Sequence, residues 1–147
     1  MPVSIRRCRY LPPTYFLGFM SFISLLVLSN GPAYAEWVLV LVSAAEHGMT
    51  VYADPDTIRR KGELVKMWSL YDFKTEQYVR GVLLLSSKGQ IEYDCAEERL
   101  RGLAVAEFSG NMGKGTVVYT DSSEGMWNPV PPHGVVQALW KVACGKQ

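Results

Sequence analysis

The stretch HGVVQALWKVAC, residues 133–144, decides the fold of this chain because it combines helical spacing with a cysteine near the C-terminal end. Its apolar side chains recur at intervals of three and four residues, which places them in one stripe along a helix. The stripe consists of Val136, Leu139, Trp140, Ala143 and Cys144. Pro131 and Pro132 before the stretch and Gly145 after it are typical of helix starts and ends. The sequence therefore predicts one C-terminal helix whose buried face carries Cys144.

The first part of the chain has the composition of an export signal. Three arginines near the N-terminus precede an uncharged apolar run from Tyr15 to Leu28. The small residues Ala33 and Ala35 then supply the spacing that signal peptidase recognises. We therefore expect a signal peptide over residues 1–35 that is cleaved between Ala35 and Glu36.

Two alternatives for this segment are a transmembrane anchor and a lipoprotein signal. The apolar run of 14 residues would rise about 21 Å as a helix, which is short of the ~30 Å hydrocarbon core of a bilayer. A lipid-modified cysteine would directly follow the apolar run, whereas Cys8 precedes it. We expect the mature domain, residues 36–147, to be exported without a lipid anchor.

The charge of the mature domain is close to balanced. The whole chain has 15 basic and 14 acidic side chains, and cleavage would remove three arginines and no acids. The 12 basic and 14 acidic side chains that remain give a formal charge of about −2 and are interspersed along the sequence. This balance offers no basic surplus to attract nucleic acid, and the length fits a single domain.

The mature domain keeps two cysteines, Cys95 and Cys144. Oxidising compartments favour disulfides, and an even pair allows a single connectivity. Zinc binding and a reactive thiol are the alternatives, but the available histidines, His47 and His133, do not lie at the usual close spacing. We therefore expect a disulfide between Cys95 and Cys144, with no metal and no cofactor.

Most of the mature domain has the patterns of β-strands, because apolar or alternating runs are separated by turn residues. The expected strands cover residues 36–43, 48–54, 63–73, 79–87 and 91–95, a segment 102–108 that follows a bulge or bend at residues 97–101, and residues 116–121. Residues 54–62 are expected to form a turn or one helical turn, and residues 88–90 a tight turn. The predicted class is α+β, an antiparallel sheet of about six strands with the C-terminal helix packed on one face and disulfide-linked to it.

Few motifs indicate catalysis. The segment SGNMGKGT, residues 109–116, lacks the glycine that a phosphate loop needs five positions before its Gly-Lys pair, so it is expected to be a hairpin loop. Glu92 and Asp94 would share one face of a strand, where exposed surface acids explain them more simply than an acid–base pair. The sequence therefore indicates a protein that is not an enzyme.

Two features are candidates for partner binding. Arg59, Arg60 and Lys61 form a compact basic cluster that can meet an acidic partner, although solvated turn charge is the alternative. Trp127 lies in a connection rich in glycine and proline, where it would either tuck under the helix, which we expect, or act as an exposed binding anchor.

Several short segments occur in a distinctive order. They are Trp37, VYADPDTIRRKG at residues 51–62, VKMWSLYDF at 65–73, IEYDC at 91–95, WNPVPP at 127–132 and ALWKVAC at 138–144. Together with the paired cysteines, this order resembles the surface-adhesin protein E family of Gram-negative bacteria. The resemblance covers nearly all of residues 36–144.

The resemblance implies a six-stranded antiparallel sheet whose concave face is disulfide-bonded to the C-terminal helix, and it implies dimerisation. It also implies non-enzymatic binding of host matrix and serum proteins such as vitronectin, laminin and plasminogen. The adhesin that gives the family its name is a surface lipoprotein, whereas this chain has no cysteine at Glu36. We therefore expect a periplasmic, secreted or cell-surface protein of a Gram-negative bacterium. An alternative partner is another envelope protein, bound through an open sheet edge.

Overall fold

The computed structural model describes residues 36–43 and 48–146. The strands there are β1 (Val38–Val42), β2 (Met49–Lys61), β3 (Leu64–Val79), β4 (Val82–Asp94), β5 (Arg99–Phe108), β6 (Val117–Asp121) and β7 (Asn128–Pro129). A 3₁₀ turn at Asn111–Gly113 precedes β6, and one helix, α1 (Val135–Cys144), comes last. The predicted signal peptide and His47 lie outside the described residues. None of the helices within those ranges is long and apolar enough to cross a membrane.

The strands form one antiparallel sheet in which neighbours in sequence are neighbours in space. The order is β1-β2-β3-β4-β5-β6, and the short β7 pairs with β5 beyond the end of β6. The predicted antiparallel sheet followed by one C-terminal helix is therefore confirmed. Helix α1 also begins and ends close to the predicted bounds, and Gly145 adopts the left-handed conformation (φ 66°) that ends it.

The predicted turn at residues 54–62 is wrong, because β2 continues through this segment to Lys61. Pairing with β3 stops at Asp54 and resumes at Arg59. Between these two positions β2 has three more residues than β3, so the segment bulges from the sheet. The Thr57 side chain replaces part of the missing ladder: its Oγ1 donates to the Asp54 carbonyl at 2.6 Å and accepts from the Trp68 N–H at 3.0 Å. The bulge accommodates Pro55, which has no N–H to donate.

The predicted tight turn at residues 88–90 is also wrong. Strand β4 runs through these residues, and the hairpin between β3 and β4 turns instead at Arg80 and Gly81, with φ of 49° and 80°. The expected bend near residues 97–101 lies slightly earlier, as a turn at residues 95–98, and a bulge interrupts β5 between Gly102 and Ala104. Strands β2, β3 and β4 are thus longer than the sequence pattern predicts.

Alternation along each strand divides the sheet into two faces, and residues paired across antiparallel strands share a face. The core face is the one that carries most of the buried apolar strand residues. These are Val51, Ala53, Val65, Met67 and Tyr93, each at most 1 % exposed. Leu139, Trp140, Ala143 and Cys144 of the helix belong to the same buried cluster, and α1 contacts the first four strands.

Cys95 and Cys144 form the expected disulfide, with their Cα atoms 5.7 Å apart. Cys95 directly follows β4, and its N–H donates to the Glu63 carbonyl at 3.0 Å, which holds the cysteine beside the β2–β3 turn. The sheet and the last turn of the helix are therefore joined covalently at this end of the molecule.

Candidate binding surface

The face opposite the core face carries two rows of charged side chains near the β2–β3 turn. One row crosses four strands as Arg59, Lys66, Glu92 and Arg101, and the next as Lys61, Leu64, Asp94 and Arg99. Neighbouring strands lie about 4.8 Å apart, so each row spans about 14 Å. We call the seven charged residues of these rows the charged patch.

The two acids of the charged patch are buried, so the expectation that they are exposed surface acids is wrong. Glu92 and Asp94 are each only 5 % exposed. Arg101 donates from Nε and Nη2 to Oε2 of Glu92 at 2.7 and 2.5 Å, while Lys66 Nζ lies 3.8 Å from Oε1. A buried carboxylate is tolerated when cations and hydrogen bonds compensate its lost hydration, and Glu92 has both.

Asp94 is compensated differently, because it caps the turn that follows β4. Its Oδ1 accepts the N–H groups of Glu97 and Ala96 at 3.1 and 3.2 Å. Its Oδ2 accepts Nε and Nη2 of Arg99, both at 3.0 Å. The hydrogen bond from the Glu97 N–H, helped by Arg99, lowers the pKa of Asp94 below its usual value. Asp94 therefore holds the turn and the start of β5 in place.

Trp127 lies beside the charged patch and not in the core cluster beneath the helix. The guanidinium carbons of Arg101 and Arg99 lie 4.5 and 4.9 Å from the centroid of its ring. Arg101 also forms an ion pair with Glu124. The hydrogen bond from Arg101 to Glu92 is the main reason that the pKa of Arg101 is raised. The expected tuck under the helix is wrong, and the ring instead stacks against two cations.

A groove of about 390 Å³ opens on the β2 side of the charged patch. We call it the basic groove; its lining residues are Arg59, Arg60, Lys61, Leu64, Lys66 and Glu92. All three residues that the sequence predicts for partner binding therefore line one groove, together with a fourth cation. Lys66 was missed by sequence reasoning because only the pairing of β2 with β3 brings it next to Arg59.

The three predicted cations differ in their contacts. Lys61 has no hydrogen-bond or ion-pair partner within the described part of the chain. Arg59 donates from Nη1 only to the backbone carbonyls of Asp56 and Ile58, at 2.8 and 2.9 Å. Arg60 pairs with Val65, so its side chain lies on the core face. Its Nη2 donates to the Ala143 carbonyl at 3.4 Å, near the negative end of the helix dipole. Arg59 and Lys61 are thus available for an anion, whereas Arg60 has a structural contact.

A second groove of about 310 Å³ lies on the core face, beyond the residues that the helix covers. Its floor is formed by small residues, Gly89, Gly102 and Ala104 among them, and Tyr71 and Ile91 also line it. It contains no cluster of titratable groups suited to catalysis. No group of three or more residues able to hold a metal ion occurs in residues 36–43 and 48–146.

Comparison with known proteins identifies the family. The family model described as surface-adhesin protein E matches residues 37–145. Crystal form II of Haemophilus influenzae protein E is similar, with a TM-score of 0.54 and 14 % identity over 65 % of this chain and 80 % of that chain.

Protein E from non-typeable Haemophilus influenzae gives a TM-score of 0.54 and 12 % identity, over 73 % of this chain and 75 % of that one. At such identities the likeness shows a shared fold. No curated protein matches the chain. Because the family model spans most of its length, the chain belongs to the surface-adhesin protein E family.

Proposed function

We propose that this chain is an exported, non-catalytic adhesin domain that binds host matrix or serum proteins through the basic groove. The observation that carries the proposal is the convergence of Arg59, Lys61 and Lys66 on one groove with no carboxylate fully neutralising them. Membership of the surface-adhesin family supports a role in attachment at or outside the cell surface. Vitronectin, laminin and plasminogen are the proposed ligands.

The predicted signal peptide supports export. We propose that it is cleaved between Ala35 and Glu36, and that the mature protein reaches the periplasm or the cell surface without a lipid anchor. Mass spectrometry of the N-terminus of the exported protein tests the cleavage site. A mature N-terminus at another residue, or an uncleaved chain, would contradict it.

Binding of purified mature protein to immobilised vitronectin, laminin and plasminogen tests the function. We expect saturable binding at micromolar concentrations, weakened at least tenfold by the double charge reversal Lys61→Glu/Lys66→Glu. The matched control is Lys74→Glu/Lys114→Glu, which reverses two exposed lysines outside the groove and should change the affinity less than twofold. Absence of saturable binding to all three proteins at micromolar concentrations would reject the proposal.

A second candidate is a periplasmic accessory domain that binds another envelope protein through a sheet edge. Within residues 36–43 and 48–146, strand β1 pairs only with β2, and Val38, Leu39 and Val42 are 47, 57 and 55 % exposed along it. Open apolar edges can accept a strand from another chain, and such an edge is also one route to the predicted homodimer. Protein that is inaccessible to protease in intact cells would favour this candidate, whereas surface-accessible protein favours the adhesin.

A further inference from the structure

We infer that the basic groove binds a sulfated polysaccharide chain of the heparin type. The inference rests on the proposed function, because it assigns the chemical class of ligand that the same groove takes from the host matrix. Dense lysine and arginine clusters are typical of surfaces that bind heparin-like polyanions.

The positions of the cations match a linear polyanion. Arg59 and Lys61 are two residues apart on β2, so their side chains leave the same face about 7 Å apart. Lys66 pairs directly with Arg59 and lies about 5 Å to the side, on β3. Three cations at the corners of a small triangle can contact neighbouring anionic groups on one chain at the same time.

The buried acid beneath these cations does not cancel them. The Glu92 side chain is 7 % exposed, whereas the Lys66 side chain above it is 47 % exposed. Arg101 already provides two hydrogen bonds to Glu92, so Lys66 can turn towards a ligand without leaving the carboxylate unpaired. The surface that a ligand meets is therefore positive, although the mature domain as a whole is slightly acidic.

The lining of the groove favours a ligand that is held by charge. Protein interfaces depend on a few buried aromatic or aliphatic anchors. Of the described residues, Leu64 is the one apolar residue that lines the basic groove. The exposed apolar residues of the described chain, such as Leu39 and Tyr78, lie on other parts of the sheet. Affinity in this groove must come mainly from charge, which a highly sulfated chain supplies at every physiological pH.

Calorimetric titration of the purified mature protein with heparin tests the inference. The variant Lys61→Gln/Lys66→Gln should bind heparin at least tenfold more weakly. In that variant the slope of log affinity against log salt should become less steep by about two. Each cation that no longer contacts a sulfate group no longer displaces a counterion. The control Lys74→Gln/Lys114→Gln removes the same charge from exposed positions outside the groove and should stay within twofold of the wild type.

Three results would overturn the inference: no heparin binding at about 0.15 M salt, an equal loss of affinity in the control pair, or tighter binding of polyglutamate or lipopolysaccharide than of heparin. The inference and the proposed function can fail separately. If laminin or vitronectin binds and heparin neither binds nor competes, the sulfated ligand is rejected and the adhesin role stands. If heparin binds through the groove and no host protein does, the sulfated ligand is supported and the protein ligands are rejected.

Discussion

Arg101 donates hydrogen bonds from Nε and Nη2 to Oε2 of Glu92, at 2.7 and 2.5 Å, across neighbouring strands β4 and β5. This contact fixes a buried carboxylate beneath the exposed cations of the basic groove. It separates two roles among the basic residues of the face, because Arg101 compensates the acid while Lys66, Arg59 and Lys61 stay at the surface.

The first prediction concerns the charge of Glu92. Glu92→Gln removes the negative charge below the groove and keeps the shape of the side chain, so it should raise the affinity for heparin. We expect an increase of about two- to fivefold, the size of a charge interaction near a protein surface. Calorimetric titration measures it, with the exposed Glu76→Gln as a control that leaves the affinity unchanged. Weaker binding by the Glu92 variant would show that the carboxylate takes part in the contact.

The second prediction concerns the disulfide. Closing a loop of about 50 residues lowers the entropy of the unfolded chain, which corresponds to about 4 kcal/mol in the loop-entropy model. Cys95→Ala/Cys144→Ala should therefore lower the free energy of unfolding by about that amount in urea titrations. Reducing the wild type should have a similar effect. A loss below about 1 kcal/mol would mean that non-covalent packing alone holds the helix in place.

The third prediction tests the packing of the helix on the core face. Leu139 is 2 % exposed within the cluster that α1 shares with β2, β3 and β4. Leu139→Ala should lower the free energy of unfolding by about 3 kcal/mol through lost burial and a residual cavity. Lys141→Ala, on the exposed side of the same helix, should change it by less than about 0.5 kcal/mol. Equal effects of the two substitutions would contradict the packing.

The fourth prediction is a loss of stability in alkaline solution. Burial, with a smaller contribution from Tyr71, raises the pKa of Tyr93 above its ordinary value of 10.0. Above that value the unfolded chain releases the phenol proton and the folded chain keeps it, so stability falls as the pH rises. The slope approaches about 1.4 kcal/mol per pH unit for one such group.

Urea titrations between pH 9 and 11.5 measure this slope. Tyr93→Phe should reduce it, and the part that remains reflects Tyr71, whose pKa is also raised by burial. A wild-type stability that stays constant up to pH 11.5 would contradict the prediction.

The sequence predicts the helix and the disulfide well because both depend on local or simple rules. The stripe from Val136 to Cys144 is a matter of helical period, and two cysteines allow one pairing. The prediction from sequence fails for residues 54–62 and 88–90, where turn-forming residues lie inside strands. Residues 88–90 pair with β3 and with β5, and that pairing overrides the local turn preference. In β2 the turn-forming residues lie in the bulge, and pairing with β3 resumes beyond it at Arg59.

The charged patch is only partly visible in the sequence. Arg59, Arg60 and Lys61 are adjacent in the chain and can be recognised as a cluster, but Lys66, Glu92 and Arg101 meet them only through strand register. A shift of one residue in that register would turn each of these side chains to the other face. The burial of Glu92 likewise depends on tertiary contacts that no local pattern encodes.

The bond between Cys95 and Cys144 also encloses the exposed segment at residues 122–126 within its loop. A protease that cuts the chain there would produce two fragments that stay attached through sulfur. The fragment carrying Arg59, Lys61 and Lys66 would keep its covalent link to the C-terminal helix. Nicked molecules would therefore still migrate as one species until a reductant is added.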